Sequence, residues 1–241
     1  ADIDLPFPSV GATEQVLLTA VRAEGTTELK NAAIEPEIMD LIAILQKMGA
    51  IISVEPNRVI VIEGVETLRG YNHTAIFDRN EAASWAAAAL ATGGDITVGG
   101  ATQQELMTFL NVYRKVGGEF DVLEDGIRFW HPGGPLKPVM IETDVHPGFM
   151  TDWQQPLIVA LTQAEGVPRR PLEQAAVITG PTPLHGADVR VPDLRGGFSH
   201  LIAALAAEGT STVSNVGIIS RGYELFIDKL RQLGADFELP S

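Results

Sequence analysis

The chain alternates between apolar runs with helical spacing and short segments in which apolar and polar residues alternate. An Ala/Leu-rich run, a turn containing Gly and a strand-like segment recur in the same order. This recurrence predicts an internal repeat of strand, helix, strand, helix and strand, usually with one more strand. The three complete turn-and-strand segments lie at residues 23–31, 92–100 and 207–215.

A second signature ends the helix that follows each of these segments. Basic residues occupy the last helical turn and Gly follows, where its access to positive φ lets the helix stop. Behind two of the copies the pattern predicts hairpins that pair residues 51–54 with 59–62 and 119–123 with 126–130. The three copies of the signature lie at residues 45–50, 113–118 and 230–235.

The repeat is incomplete in its third unit. A fourth turn begins at residues 164–166 but does not continue into a strand. Gly25, Gly94 and Gly166 are nearly evenly spaced, whereas Gly209 follows much sooner. We therefore expect that a helix and a strand are missing after about residue 166.

Two predicted helices, residues 81–91 and 196–207, are apolar nearly all round. Such helices are usually buried on all sides. An α/β fold with helices inside and sheets as the outer wall accommodates them better than a doubly wound fold, whose helices keep one polar face.

Composition narrows the class of function. The formal net charge of −14 argues against nucleic-acid binding, which depends on Lys and Arg. No apolar run is long enough for a membrane span, and the absence of Cys excludes thiolate chemistry in these residues and is compatible with the cytoplasm. The five His have no ligand-like spacing, so we predict no metal site and no cofactor.

Six short motifs resemble those of one enzyme family, the UDP-N-acetylglucosamine 1-carboxyvinyltransferases, which are enolpyruvyl transferases. The resemblance covers essentially the whole chain. The motifs are Ser9–Glu14, Glu35–Ile38, Asp78–Glu81, Thr151–Asp152, Asp193–Arg195 and Arg221–Glu224.

The resemblance implies a fold of two inside-out α/β barrels of three repeats each, with the active site between them. About four of the six repeats are expected here. Residues 1–77 would form the last repeat of the first barrel, and residues 78–241 the second barrel, incomplete after about residue 166. The N-terminal half with the family's catalytic Cys or Asp would be missing, so we expect this chain to be inactive alone.

The resemblance further implies an activity: transfer of the enolpyruvyl group of phosphoenolpyruvate to the 3-hydroxyl of UDP-N-acetylglucosamine. This is the first committed step of peptidoglycan precursor synthesis and takes place in the cytoplasm. The alternatives are the sister enzyme that acts on shikimate 3-phosphate, a non-catalytic repeat module, and an RNA-end-binding module, against which the charge argues.

Four residues are implied to carry the chemistry. A sugar hydroxyl needs a carboxylate to take its proton, and anionic substrates need Arg. Asp152 matches the family's general base, which also contacts the UDP-sugar, and Asp193 matches an acid beside the reacting carbon. Arg195 and Arg221 match the residues that bind phosphoenolpyruvate. The structural alternatives are helix capping for the two Asp and a solvated surface position for the two Arg.

Arg221 is predicted to lie at the start of the last helix. A cation there opposes the helix dipole, which suggests a bound anion. Gly196 and Gly197, directly after the Asp-Leu-Arg motif, would let a ligand or a backbone segment approach closely.

The remaining candidates are predicted at helix N-termini. Ser9, Val10 and Gly11 match the family's UDP-binding segment, and a helix N-terminus suits a diphosphate, although Ser9 could merely cap the helix. Four acids resemble hinge and cleft-lining carboxylates but would also be explained as acids favoured by the helix dipole. They are Glu35, Glu37, Asp78 and Glu81.

Overall fold

The computed structural model of the chain describes residues 1–166 and 177–239, and these residues form two compact units. Unit 1 consists of residues 1–77 and 145–147, and unit 2 of residues 78–144 together with residues 148 onwards. The segment directly after residue 166, where a deletion is predicted, lies outside the described residues. The assignment of the two units to particular barrel repeats stays a prediction.

Unit 1 packs two helices on one side of a four-stranded sheet with the order β1-β2-β4-β3. The predicted hairpin is confirmed, because β3 and β4 pair antiparallel with Ile52 opposite Ile62. The core between helices and sheet contains Leu17, Leu29 and Ile38 among others. The elements are β1 (Asp2–Asp4), α1 (Val10–Ala20), β2 (Thr26–Lys30), α2 (Pro36–Lys47), β3 (Ile51–Glu55) and β4 (Val59–Glu63).

Unit 2 contains an antiparallel sheet with the order β5-β7-β6 and a parallel pair, β8 and β9. The second predicted hairpin is confirmed by the pairing of β6 with β7. The helices are α3 (Arg79–Thr92), α4 (Gln103–Val116), α5 (Thr151–Leu161), α6 (Leu194–Ala206), a 3-10 helix (Val216–Arg221) and α7 (Phe226–Gln232). The strands are β5 (Asp95–Gly99), β6 (Glu119–Leu123), β7 (Gly126–Trp130), β8 (Asp188–Arg190) and β9 (Thr212–Ser214).

Helix α3 lies at the centre of unit 2 and packs on α5, α6 and the sheet strands β5 and β7. From Arg79 to Leu90 every residue except Glu81 is buried, which confirms the prediction for this helix. Its many Ala side chains allow neighbouring helices to approach closely. The strands β5, β8 and β9 contain only half-buried and exposed residues and lie outside α3, whereas Ile127 and Phe129 of β7 are buried.

Helix α6 differs from its prediction. Only one face is buried, around Gly196–Ser199 and Ile202, and the other apolar residues are partly exposed. The described residues form three separate sheets and no closed barrel.

The glycines that end α4 serve two different purposes. Gly117 has φ +117° and closes the helix in the left-handed region. Gly118 has an ordinary φ, but a Cβ there would overlap the buried ring of Tyr113 one turn earlier. The signature read from the sequence therefore combines a helix stop with a packing requirement.

We predict that Gly118→Ala lowers the free energy of unfolding by about 1–3 kcal/mol, because the Tyr113 ring has to move within a packed core. Gly99→Ala is the matched control, since a Cβ there meets nothing within 4 Å. We expect the control to stay within about 0.5 kcal/mol of the parent. Urea unfolding followed by circular dichroism measures both, and equal stability of the two variants would contradict this account of Gly118.

Candidate active site

Three helix N-termini converge in unit 2. Asp78 is the N-cap of α3, Asp152 is the second residue of α5, and Arg195 is the second residue of α6. These three helices pack against one another. Side chains far apart in the sequence are thereby brought to one place, where the positive ends of the helix dipoles also meet.

Arg195 lies between the two carboxylates. Its Nη2 donates a hydrogen bond to Oδ2 of Asp78 at 3.2 Å, and its Nε lies 3.9 Å from Oδ2 of Asp152. The side chain is 19% exposed. Burial opposes its charge, but contacts with the Tyr223 hydroxyl and with Asp78 outweigh burial and raise the pKa of Arg195 above its ordinary value. The site therefore keeps its cation.

Asp78 uses its two oxygens for different purposes. Oδ1 accepts the backbone N–H groups of Asn80 and Glu81 at 2.8 and 3.1 Å, which caps α3. Oδ2 accepts the hydrogen bond from Arg195. The predicted position at a helix N-terminus is confirmed, and the same carboxylate also holds the guanidinium in place.

Asp152 does not cap its helix, because Met150 occupies the N-cap position of α5. Its Oδ2 accepts a hydrogen bond from Nδ2 of Asn80 at 3.3 Å and faces Arg195. No residue in the described ranges donates a side-chain hydrogen bond to Oδ1, and the side chain is 47% exposed. One oxygen is thus held in place and the other is open to solvent.

Tyr223 forms the floor beneath Arg195, whose guanidinium carbon lies 5.3 Å from the ring centroid. The ring stacks on Phe198 with centroids 4.2 Å apart, and the hydroxyl is 2.9 Å from Oγ of Ser84. Burial raises the pKa of Tyr223, and contacts with Ser84 and Arg195 partly offset that effect. The floor is therefore a neutral, fixed aromatic ring at ordinary pH.

Asp193 serves as the N-cap of α6, with Oδ1 accepting the N–H of Gly196 at 2.8 Å. Helix capping, the structural alternative for Asp193, is confirmed. A catalytic role of Asp193 stays a prediction. Gly197 has a packing reason within the chain, because a Cβ there would collide with the side chain of Val191. The expectation that these glycines admit a ligand is therefore not needed to explain Gly197.

The predicted position of Arg221 was wrong. It ends the 3-10 helix, and the last helix begins only at Phe226. The cation that opposes a helix dipole is instead Arg195, in the first turn of α6. Arg221 is exposed and forms no ion pair within the described part of the chain.

The segment that carries Arg221 nevertheless contacts the Asp-Leu-Arg motif. A Cβ on Gly222 would lie 2.9 Å from a methyl group of Leu194, so the Leu194 side chain packs directly against the backbone of Gly222. Together with the contact between Arg195 and Tyr223, this packing brings the segments 193–195 and 221–223 side by side.

Ser9, Val10 and Gly11 lie at the start of α1 in unit 1. The capping role of Ser9 is confirmed, because its Oγ accepts the N–H of Ala12 at 3.3 Å. Gly11 is exposed, and a Cβ there would meet nothing within 4 Å. Binding of UDP at this position stays a prediction.

The other acids lie at helix N-termini, as predicted. Glu35 and Glu37 flank the first residue of α2 in unit 1, and Glu35 is buried. Glu81 in unit 2 accepts hydrogen bonds on Oε1 from Trp85 at 3.0 Å and from Lys229 at 2.7 Å. Glu81 therefore links α3 to α7, which makes it part of the framework around the site.

Asn80, Ser84 and Tyr223 contribute to the site without having been predicted from the sequence. Asn80 and Tyr223 lie inside the quoted motifs, so the motifs themselves were the available signal. Their contacts join residues more than 70 positions apart, and no local pattern reports such pairs.

The described residues contain neither a membrane-spanning helix nor a metal-binding cluster. None of their helices is both long enough and apolar enough to cross a membrane. Within the same ranges, no cluster of His, Cys, Asp or Glu could hold a metal ion.

Comparison with known proteins identifies the family. The family model of EPSP synthase (3-phosphoshikimate 1-carboxyvinyltransferase) matches residues 1–170, so the chain belongs to the EPSP synthase family. The family resemblance inferred from the motifs is thereby confirmed.

Two similar relatives carry a more specific name, UDP-N-acetylglucosamine 1-carboxyvinyltransferase. The protein from Protochlamydia amoebophila is 44% identical over 276 residues, which cover 98% of this chain and 59% of the relative. The protein from Chlamydia abortus is 43% identical over 282 residues, which cover all of this chain and 63% of the relative. The chain thus spans about three fifths of these relatives, and the alignments contain positions without a counterpart among its 241 residues.

Solved structures agree on the fold. The enolpyruvyl transferase NikO from Streptomyces tendae superposes with a TM-score of 0.84 at 26% identity, covering 98% of this chain and 64% of that one. EPSP synthase from Acinetobacter baumannii superposes with a TM-score of 0.71 at 18% identity, covering 100% of this chain and 64% of that one, which shows the fold alone. The neighbours are enolpyruvyl transferases, whose fold is an inside-out α/β barrel.

We predict that Tyr223→Phe reduces the loss of stability at alkaline pH. The pKa of Tyr223 is raised in the folded state, so the neutral phenol adds to the free energy of unfolding. This stabilisation is fully present below about pH 10 and is lost as pH rises through the pKa of the folded state. Urea unfolding at about pH 8 and about pH 11 measures this loss. Tyr71→Phe is the control, since Tyr71 is 56% exposed. An equal alkaline loss in both variants would contradict the prediction.

Proposed function

We propose that the protein containing this chain transfers the enolpyruvyl group of phosphoenolpyruvate to the 3-hydroxyl of UDP-N-acetylglucosamine. This is the first committed step of peptidoglycan precursor synthesis, and we assign it to the cytoplasm. The observation that carries the proposal is the state of Asp152, which has one oxygen held beside Arg195 and the other open to solvent.

The reaction consists of an addition and an elimination. In the addition, the sugar hydroxyl oxygen bonds to the central carbon of phosphoenolpyruvate, its proton passes to a base, and the methylene carbon gains a proton from an acid. In the elimination, the bond between that carbon and the phosphate oxygen breaks, and the new methyl group returns a proton. The products are an enolpyruvyl ether and inorganic phosphate.

Asp152 is suited to be the base of the addition step. A hydroxyl is a weak nucleophile at neutral pH and needs a carboxylate within hydrogen-bond reach. The open Oδ1 can accept the hydroxyl proton while Oδ2 stays bound to Asn80. Arg195, whose Nε lies 3.9 Å from Oδ2 of Asp152, can bind an anionic group of the substrate.

Positive charge develops at the central carbon when the methylene carbon is protonated, and a nearby carboxylate stabilises it. We assign this role to Asp193, whose segment lies beside that of Arg221. Arg221 is exposed and unpaired within the described residues, so its guanidinium is available for the carboxylate of phosphoenolpyruvate. The acid that protonates the methylene carbon is expected outside this chain.

The first turn of α1 is proposed to bind the diphosphate of the nucleotide sugar. Ser9, Val10 and Gly11 offer backbone N–H groups at a helix N-terminus, with open space at Gly11. The names of the relatives at 40–44% identity support this acceptor over shikimate 3-phosphate. Glu35 and Glu37 stay candidates for acids that line the substrate site.

We predict that Asp152→Asn in the complete protein lowers kcat by about 10²–10⁴-fold, because the amide cannot accept the hydroxyl proton. Release of inorganic phosphate in the presence of phosphoenolpyruvate and UDP-N-acetylglucosamine measures the rate. Asp228→Asn is the matched control, since Asp228 also lies in a first helical turn but is 56% exposed and, among the described residues, forms an ion pair with Arg231 alone.

Two outcomes would overturn parts of the proposal. Full activity of Asp152→Asn would remove Asp152 from the mechanism. Phosphate release with shikimate 3-phosphate, and none with UDP-N-acetylglucosamine, would assign the protein to the sister activity.

A further inference from the structure

Asn80 is a buried polar residue that the proposed mechanism does not yet use. It is the second residue of α3 and is only 9% exposed. Its Nδ2 donates a hydrogen bond to Oδ2 of Asp152 at 3.3 Å. Its Oδ1 is fully buried and has no hydrogen-bond partner among the described residues.

The orientation of the Asn80 amide follows from chemistry. An ionised carboxylate only accepts hydrogen bonds, so the amide atom that faces Asp152 has to be the nitrogen. The carbonyl oxygen is then directed into a buried place without a donor. A buried carbonyl oxygen without a hydrogen-bond donor destabilises the fold, and an apolar side chain of similar size would not. The amide of Asn80 therefore weakens the core while it binds the carboxylate of Asp152.

The backbone around Asn80 is fixed by the same cluster. Its N–H donates to Oδ1 of Asp78 at 2.8 Å, and its C=O accepts from Oγ of Ser84 at 2.8 Å. Ser84 in turn contacts the hydroxyl of Tyr223. The amide is therefore presented to Asp152 from a rigid helix turn.

We propose that Asn80 is a positioning residue for Asp152. By holding Oδ2, it turns Oδ1 toward the space that the acceptor hydroxyl enters. This inference rests on the proposed function of Asp152. Asn80 is only 9% exposed and its Oδ1 is fully buried, so we expect it to act through Asp152 and not by contact with the substrate.

The test uses Asn80→Leu and the isosteric Asn80→Asp in the complete protein. We expect kcat to fall about tenfold in each, since a small misplacement of a catalytic group has a cost of at least this size. KM for phosphoenolpyruvate should stay within about threefold, because Asn80 acts on the base and not on the residues proposed to bind this substrate. Asn80→Leu should unfold at the same temperature as the parent or higher.

Gln104→Leu is the control variant, because it replaces an exposed amide in the first turn of α4 and should keep parent kinetics. The two Asn80 variants are also combined with Asp152→Asn. If Asn80 acts through Asp152, neither substitution lowers the residual rate further in that background.

Each other outcome decides against the inference. A kcat within twofold of the parent, a raised KM with unchanged kcat, or an equal loss in the Asp152→Asn background would each overturn the positioning role. If Asn80→Leu does not fold, the kcat of Asn80→Asp and its residual rate in the Asp152→Asn background test the positioning role. Full activity of Asp152→Asn would instead show that the proposed function of Asp152 has failed.

Discussion

The junction of the three helix N-termini in unit 2 depends on one guanidinium that lies between two carboxylates. Arg195 lies in the first turn of α6, where the helix dipole disfavours a cation by about 0.3–1 kcal/mol, yet it is largely buried. Asp78 and Asp152, at the starts of α3 and α5, compensate for that placement. Removing either carboxylate would leave part of this charge uncompensated, so the three helix N-termini are mutually dependent. The same cluster combines two carboxylates with a cation that we propose binds a substrate anion.

The interior position of α3 explains how three helix starts can meet. Its run of buried Ala side chains lets α5 and α6 pack close to its axis, while the polar residues of its first turn face the junction. Side-chain hydrogen bonds connect the first turn of α3 to its neighbours. Asp78 binds Arg195, Asn80 binds Asp152, and Glu81 binds Lys229. The apolar body of α3 thus packs against the neighbouring helices, and its polar first turn makes the hydrogen bonds of the candidate site.

Much of this fold could be predicted from the sequence because its signals are local. Both hairpins follow from alternating segments, and the ends of the helices follow from Gly in the left-handed region. Asp152 and Arg195 were found through motifs, and the structure brings them together. Arg221 was misplaced because the short 3-10 helix that it ends has neither a capping side chain nor a clear apolar period. Asn80 and Tyr223 were missed because their roles arise only from tertiary contacts.

The central claim is that Arg195 is the cation of an anion-binding site formed with Asp78 and Asp152. Calorimetric titration of the complete protein with phosphoenolpyruvate tests it most directly, with Arg195→Met compared with Arg128→Met, an exposed arginine paired with Asp95. The account predicts that Arg195→Met weakens binding by at least about tenfold, the usual cost of losing a charge-assisted hydrogen bond, and that Arg128→Met has no effect. Equal affinity in the two variants would contradict it.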